Sequence, residues 1–219
     1  LTLAGNAALL AARKLKDRLR RVGAALMGVN YEDAVYENGR VRDMKMGRSM
    51  SLGEIANALT SNLGGTWPHG VEPSLEDSAY FGLSNYTYPY GSHVALVEVT
   101  EEGLVKVLDY VAIDDIGLVV NPMLAEGQVI GGVIQGFGEV VLEEVRYDSD
   151  GNPLTQTFGE YWIPTIMESF SVKWHYLEEG KSNAPLPAKG IAEGPLIGVL
   201  PALTRAIENA VGRRITRIP

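Results

Sequence analysis

The sequence predicts an α+β fold of mixed sheets with helices packed on them. Three observations predict it. Apolar residues recur at spacings of three and four near both ends of the chain. Between them, residues 93–100 read as a strand and 104–114 alternate as a second one. Strand and helix signals then follow one another in mixed order, without a repeat.

The elements follow in turn. Ala8, Ala12, Leu15, Leu19, Val22 and Leu26 keep helical spacing, with basic residues opposite, so 3–27 is an amphipathic helix. "AVYENGRVRD" is a hairpin about Asn38-Gly39, the strongest short turn signal. In "SMSLGEIANAL" (49–59), Ser51 and Glu54 have the spacing of a capping box, which predicts a short helix. Residues 60–90 are rich in Gly, Ser, Pro, Asn and aromatics and predict an extended irregular segment. Two strands follow, "HVALVEVT" and "LVKVLDYVAID", joined by a turn at "EEG". Asn121-Pro122 supplies an N-cap and a first-turn proline for a helix running to about 144. "RYDSDGNPL" is a hairpin turn, 170–179 a strand, and 195–211 a helix stopped by Gly212.

The 219 residues suffice for one large domain or two small ones. A hydrophobic fraction of 46% with 21% charged residues supports a substantial core. The net charge of −8 argues against a nucleic-acid or anionic-membrane partner. The basic run "RKLKDRLRR" (13–21) is the exception, and on a helix it forms a solvated face. With no cysteine, the chain itself holds no disulfide, thiolate zinc site or iron–sulfur cluster. There is no secretory signal and no apolar run of transmembrane length, so a cytoplasmic location is expected. The chain begins without Met and with a helical pattern under way, as an excised domain or processed subunit would.

Two stretches can carry chemistry. Gly127, Gly131, Gly132, Gly136 and Gly138 crowd one helix. Each costs roughly 1 kcal/mol of helix stability relative to Ala, so close backbone approach to another element or to a ligand must offset them. Gln128, Gly131, Gly132 and Gln135 fall on one face, able to lie on something planar and polar; tight helix–sheet packing is the structural alternative. The second stretch is "AKGIAEGPL" (188–196), where a lone acid, Glu193, stands among small and apolar residues at the start of a helix. A helix N-terminus favours a carboxylate as the anion, and an apolar pocket favours the neutral acid. Under both influences a carboxylate can serve as a general base near neutral pH. An ordinary first-turn acid is the alternative. His69, His93 and His175 share no metal-ligand spacing, and Asp114-Asp115-Ile-Gly is a strand end followed by a turn.

"VLDYVAIDDIGLVVNPMLAEGQVIGGVIQGFGEVVLEEV" followed by "AKGIAEGPLIGVLPALTRAIENAVG" resembles the molybdenum-cofactor-binding large subunit of the xanthine dehydrogenase and aldehyde oxidase family. "SMSLGEIANAL" and "YPYGSHVALVEV" resemble its carbon-monoxide-dehydrogenase-like, split-subunit branch. The resemblance covers residues 1–219 as the C-terminal molybdenum-cofactor-binding domain, with about 1–90 and 91–219 as subdomains. It implies a molybdenum hydroxylase that oxidises an aldehyde or N-heterocycle with water-derived oxygen, Glu193 being the general base at the metal. By the same resemblance Gln128 contacts the pterin, and the backbone of Lys189, Gly190, Ile191 and Ala192 lines the cofactor. Thr2, Gly5 and Asn6 stand near its dinucleotide end, with the cytosine dinucleotide form of molybdopterin expected. The resemblance further implies iron–sulfur clusters and FAD on partner chains, an iron–sulfur subunit and an FAD subunit, with the N-terminal part of the large subunit completing the site in a dimer of heterotrimers. Ala192 departs from the pattern, because many relatives have Gly before the acid. A non-catalytic scaffold or docking domain, a reductase and a carbon-monoxide oxidiser are the competing expectations.

Overall fold

The computed structural model describes residues 1–61, 71–72 and 74–219; His69 and part of the expected 60–90 segment lie outside them. The chain divides into two compact units, one of Leu3–Ser84 and one of Leu1–Thr2 with Asn85–Pro219.

In the first of these, α1 (Thr2–Met27) supplies Leu19, Val22 and Ala24 to a core shared with Ala34, Val41, Ile55 and Leu59. β1 (Ala34–Glu37) and β2 (Arg40–Asp43) pair antiparallel about Asn38 (φ 49°) and Gly39 (φ 72°), the two left-handed positions that a tight hairpin turn requires. Ser49–Ser51, expected to begin a helix, instead forms β3 on the far edge of β2, with Met50 opposite Val41. Two-residue alternation beside a paired strand prevails there over helix propensity. The helix α2 (Leu52–Thr60) then starts on Ser51, whose hydroxyl accepts from the Glu54 amide at 3.2 Å while the Glu54 carboxylate accepts from the Ser51 amide at 2.7 Å. Ser51→Ala is expected to cost about 1 kcal/mol of stability in chemical denaturation, with the denaturant slope unchanged.

The larger unit is a three-stranded sheet with helices on one face. β4 (Tyr90–Val99) and β5 (Val105–Asp115) pair antiparallel, and β6 (Lys173–Leu177) lies parallel to β5. Parallel neighbours need a crossover, and α3 (Pro122–Val141) lies within it, capped by Asn121, whose side chain accepts from the Leu124 amide at 3.2 Å. α3 stops at Val141, short of the expected 144: the amides of Leu142 and Glu143 both turn back to the Gly138 carbonyl. α4 (Gly194–Val211) ends on Gly212 at φ 68°. Tyr110 and Ala112 of β5, Val129, Val133, Phe137 and Val140 of α3, and Val199 and Leu203 of α4 form the core. A methyl group on Gly136 would stand 2.7 Å from the Val199 Cβ, and one on Gly132 would stand 3.2 Å from Pro195, so these two glycines let α3 and α4 close together. Gly127 and Gly131 face open space. The face expected to carry Gln128, Gly131, Gly132 and Gln135 is therefore divided: Gly132 is buried, and the other three are exposed.

Candidate active site

The last two residues of β5 organise the site. Asp115 is 1% exposed, yet each carboxylate oxygen has two donors. Oδ1 accepts from the Gly117 amide (3.0 Å) and Lys189 Nζ (3.2 Å); Oδ2 accepts from the Gly180 amide (2.6 Å) and the Tyr90 hydroxyl (3.0 Å). Burial pushes this carboxyl up, but the four hydrogen bonds outweigh it and hold it at about 2, below its ordinary 3.8. A carboxyl depressed on folding stabilises the native state above its unfolded value and ceases to do so as pH falls through its folded one. The stability gap between wild type and Asp115→Asn is therefore expected to be full above pH 4 and to close towards pH 2, in unfolding titrations at stepped pH.

Lys189 is buried as well. Its ammonium lies 4.6 Å from the centre of the Tyr90 ring, so its side chain is engaged inside the protein. That backbone is registered on the turn after β5: the Lys189 amide donates to the Ile116 carbonyl (2.9 Å), and the Leu118 amide to the Pro187 carbonyl (3.0 Å). The chain then leaves the turn. Among the described residues, the amides of Gly190, Ile191, Ala192 and Glu193 have no hydrogen-bond partner. Glu193 follows at φ −115° and ψ −10°, exposed, its carboxylate making no cap to α4. Asn38 is the one non-glycine at positive φ among the described residues, so Ala192 takes its place without strain.

Glu193, Ala192 and Gly190 line a cavity of about 590 Å³ together with Tyr88, Pro89, Tyr90, Gly91, Ile197 and Gly198. Two buried polar side chains, His93 and Asp114, complete it. Asp114 Oδ2 accepts from the Trp174 indole (3.0 Å), and Oδ1 lies 3.4 Å from His93 Nε2. His93 Nδ1 is 2.9 Å from the Tyr110 hydroxyl. Burial, and then the Asp114 charge, push the Tyr110 phenol far above its usual range, so it keeps its proton. Gly198 lets the ring lie against α4, since a Cβ there would stand 2.7 Å from Nδ1.

The sequence reading sets His93 aside for want of metal-ligand spacing and takes Asp114-Asp115 as a strand end and turn, giving none of the three a part in the site. One signal was available: Tyr110, Ala112 and Asp114 alternate in phase, as do His93, Ala95 and Val97, so both polar groups point to the core face. The resemblance-derived residues are placed as follows. Gly190, Ala192 and Glu193 share the cavity, and Ile191 packs against the core beside it. Gln128 is exposed on α3 and is not part of the cavity wall. Thr2, Gly5 and Asn6 lie in the first turns of α1, Asn6 wholly buried. His175 is exposed on β6.

Known proteins share this fold. The chain matches the molybdopterin cofactor-binding domain family over residues 1–170. The carbon monoxide dehydrogenase large chain of Hydrogenophaga pseudoflava is 32% identical over 213 residues, 95% of this chain and 26% of that protein. The nicotine 6-hydroxylase large subunit of Paenarthrobacter nicotinovorans is 31% identical over 211 residues, 95% of this chain and 26% of that subunit. Among solved structures, the Cu,Mo-CO dehydrogenase in its carbon monoxide reduced state superposes with a TM-score of 0.84 at 31% identity, over 95% of this chain and 26% of that one. Quinoline 2-oxidoreductase from Pseudomonas putida 86 superposes at 0.79 with 30% identity, over 92% of this chain and 26% of that one. The chain thus spans about a quarter of the length of these relatives. With a match over most of its length and a shared fold, the chain belongs to the molybdopterin cofactor-binding domain family.

Proposed function

We propose that the chain is the C-terminal portion of the large subunit of a molybdenum hydroxylase, with Glu193 as its general base. The observation that carries this reading is a carboxylate without hydrogen bonds in a cavity wall, directly after four unbonded amides. Molybdopterin is flat, anionic and rich in hydrogen-bond acceptors, and those amides suit it. A Cβ at Gly190 meets nothing within 4 Å, so the backbone there is open to a ligand. On α3, exposed Gln128 with Gly127 and Gly131 beside it offers a side-chain amide on an unobstructed face. Gly190, Ile191 and Ala192 hold the cofactor by backbone, Gln128 by its amide, and Thr2, Gly5 and Asn6 serve the dinucleotide end, in the cytosine form.

When bound, the molybdenum cofactor supplies the two-electron acceptor. Glu193 takes up a proton as water-derived oxygen is transferred to the substrate carbon, and then releases it to solvent. The Glu193 carboxylate is free to do so because no side chain or amide among the described residues occupies it. Iron–sulfur clusters and FAD on partner subunits would supply the onward electron acceptors, in a dimer of heterotrimers located in the cytoplasm. Among the described residues, no helix is long and apolar enough to cross a membrane.

The substrate is an aldehyde or N-heterocycle. Carbon monoxide is the second reading, favoured by the carbon monoxide dehydrogenase relatives. Reduction of the purified full-length complex by aldehydes, N-heterocycles and carbon monoxide in turn distinguishes them. Glu193→Gln in that complex tests the base: molybdenum stays bound and reduction by substrate is lost, whereas unchanged turnover refutes the role.

A further inference from the structure

The structure assigns Asp115 as the positioning residue for the segment Gly190–Glu193, acting through Lys189. Its consequence for catalysis rests on the reading of Glu193 as base. Asp115 ties together four pieces of chain: its own turn at Gly117, the start of β4 at Tyr90, the loop after β6 at Gly180, and Lys189. Two of them, Tyr90 and the chain following Lys189, are walls of the cavity that holds Glu193. Lys189 lies four residues before the acid and is held both by side chain, on Asp115 and the Tyr90 ring, and by backbone, on Ile116. After that anchor the amides of Gly190 to Glu193 make no hydrogen bond among the described residues, so the place of the acid is set from the anchored end and by α4. The arrangement leaves no room for a side chain at Gly180, where a Cβ would stand 2.6 Å from Lys189 Nζ, 2.9 Å from the Tyr90 hydroxyl and 3.0 Å from Asp115 Oδ2. All four Asp115 contacts are internal, so this carboxylate shapes the site without touching what binds there.

A merely structural ion pair and a positioning one respond differently when both charges are removed. Removing both charges leaves neither one buried and unpaired, and it releases the Gly190–Glu193 segment. The test uses the full-length complex carrying Asp115→Asn with Lys189→Met. We expect its melting temperature to fall by about 3 to 8 °C, because an amide offers one acceptor oxygen where Gly117, Gly180 and Tyr90 still donate, and its kcat per bound molybdenum to fall about 10- to 100-fold. KM should move less than about threefold. The Lys189 amide, read by hydrogen exchange without any turnover, should exchange about tenfold faster. If the pair variant fails to assemble, Gly180→Ala, outside the cavity, crowds the same ammonium and should lower kcat per molybdenum about 3- to 10-fold with the same exchange signature. Wild-type kcat per molybdenum, or unchanged protection of the Lys189 amide, overturns the assignment. The Glu193→Gln variant reports separately on the base: unchanged kcat there refutes the base, while the exchange measurement still decides the tether.

Discussion

Glu193→Gln is expected to lower kcat about 10²- to 10⁴-fold in the full-length complex, the range that a positioned general base contributes. The substitution keeps the shape of the side chain and removes its ability to accept a proton. Glu193 is exposed and makes no cap to α4, so folding should hardly notice the change. Exposed substitutions away from caps and cores usually stay within about 0.5 kcal/mol. Loss of a negative charge at a helix N-terminus adds a few tenths at most at this exposed position, roughly 0.3 kcal/mol. Molybdenum content should equal that of wild type, because the proposed cofactor contacts at residues 190–192 are backbone amides that the substitution leaves in place. Rapid-mixing measurement of reduction by substrate, normalised to molybdenum, gives the rate of the chemical step directly. A rate within a few-fold of wild type would exclude Glu193 as the base.

The second large effect concerns two glycines of one helix and is opposite in sign at each. Gly136→Ala should destabilise the chain by about 2 kcal/mol, because the new methyl group meets the Val199 Cβ at 2.7 Å in a packed core. Val199 is β-branched and wholly buried, so it cannot swing aside without disturbing α4. Gly131→Ala, five residues earlier, meets nothing within 4 Å and should stabilise the helix by up to about 1 kcal/mol. Thermal unfolding of the two variants in parallel checks both. Equal effects would mean that helix propensity governs these positions and that the α3–α4 contact does not.

This pair shows where sequence reading stops. Five glycines in one helix point to close approach, but nothing in their spacing says which of them approach and which lie open. Gly132 and Gly136 turned out to serve packing, and Gly127 and Gly131 to be open. Glu193 was legible because its setting is local, a lone acid between two glycines with a proline behind it. His93 and Asp114 were not, because a buried polar pair is recognised by its partners, and Tyr110 and Trp174 come from two different strands.

By itself the sequence determined whatever depends on neighbouring residues: the turn at Asn38-Gly39, the caps at Ser51 and Asn121, the stop at Gly212 and the alternation of β4 and β5. Each is settled within a few residues by backbone sterics and hydrogen bonding. Only the tertiary structure decided what surrounds Asp115. Its donors at Tyr90, Gly180 and Lys189 lie 25, 65 and 74 residues away, and no local preference brings them together. They meet because the sheet and its helices bury the end of β5, where an unpaired carboxylate would be prohibitively costly.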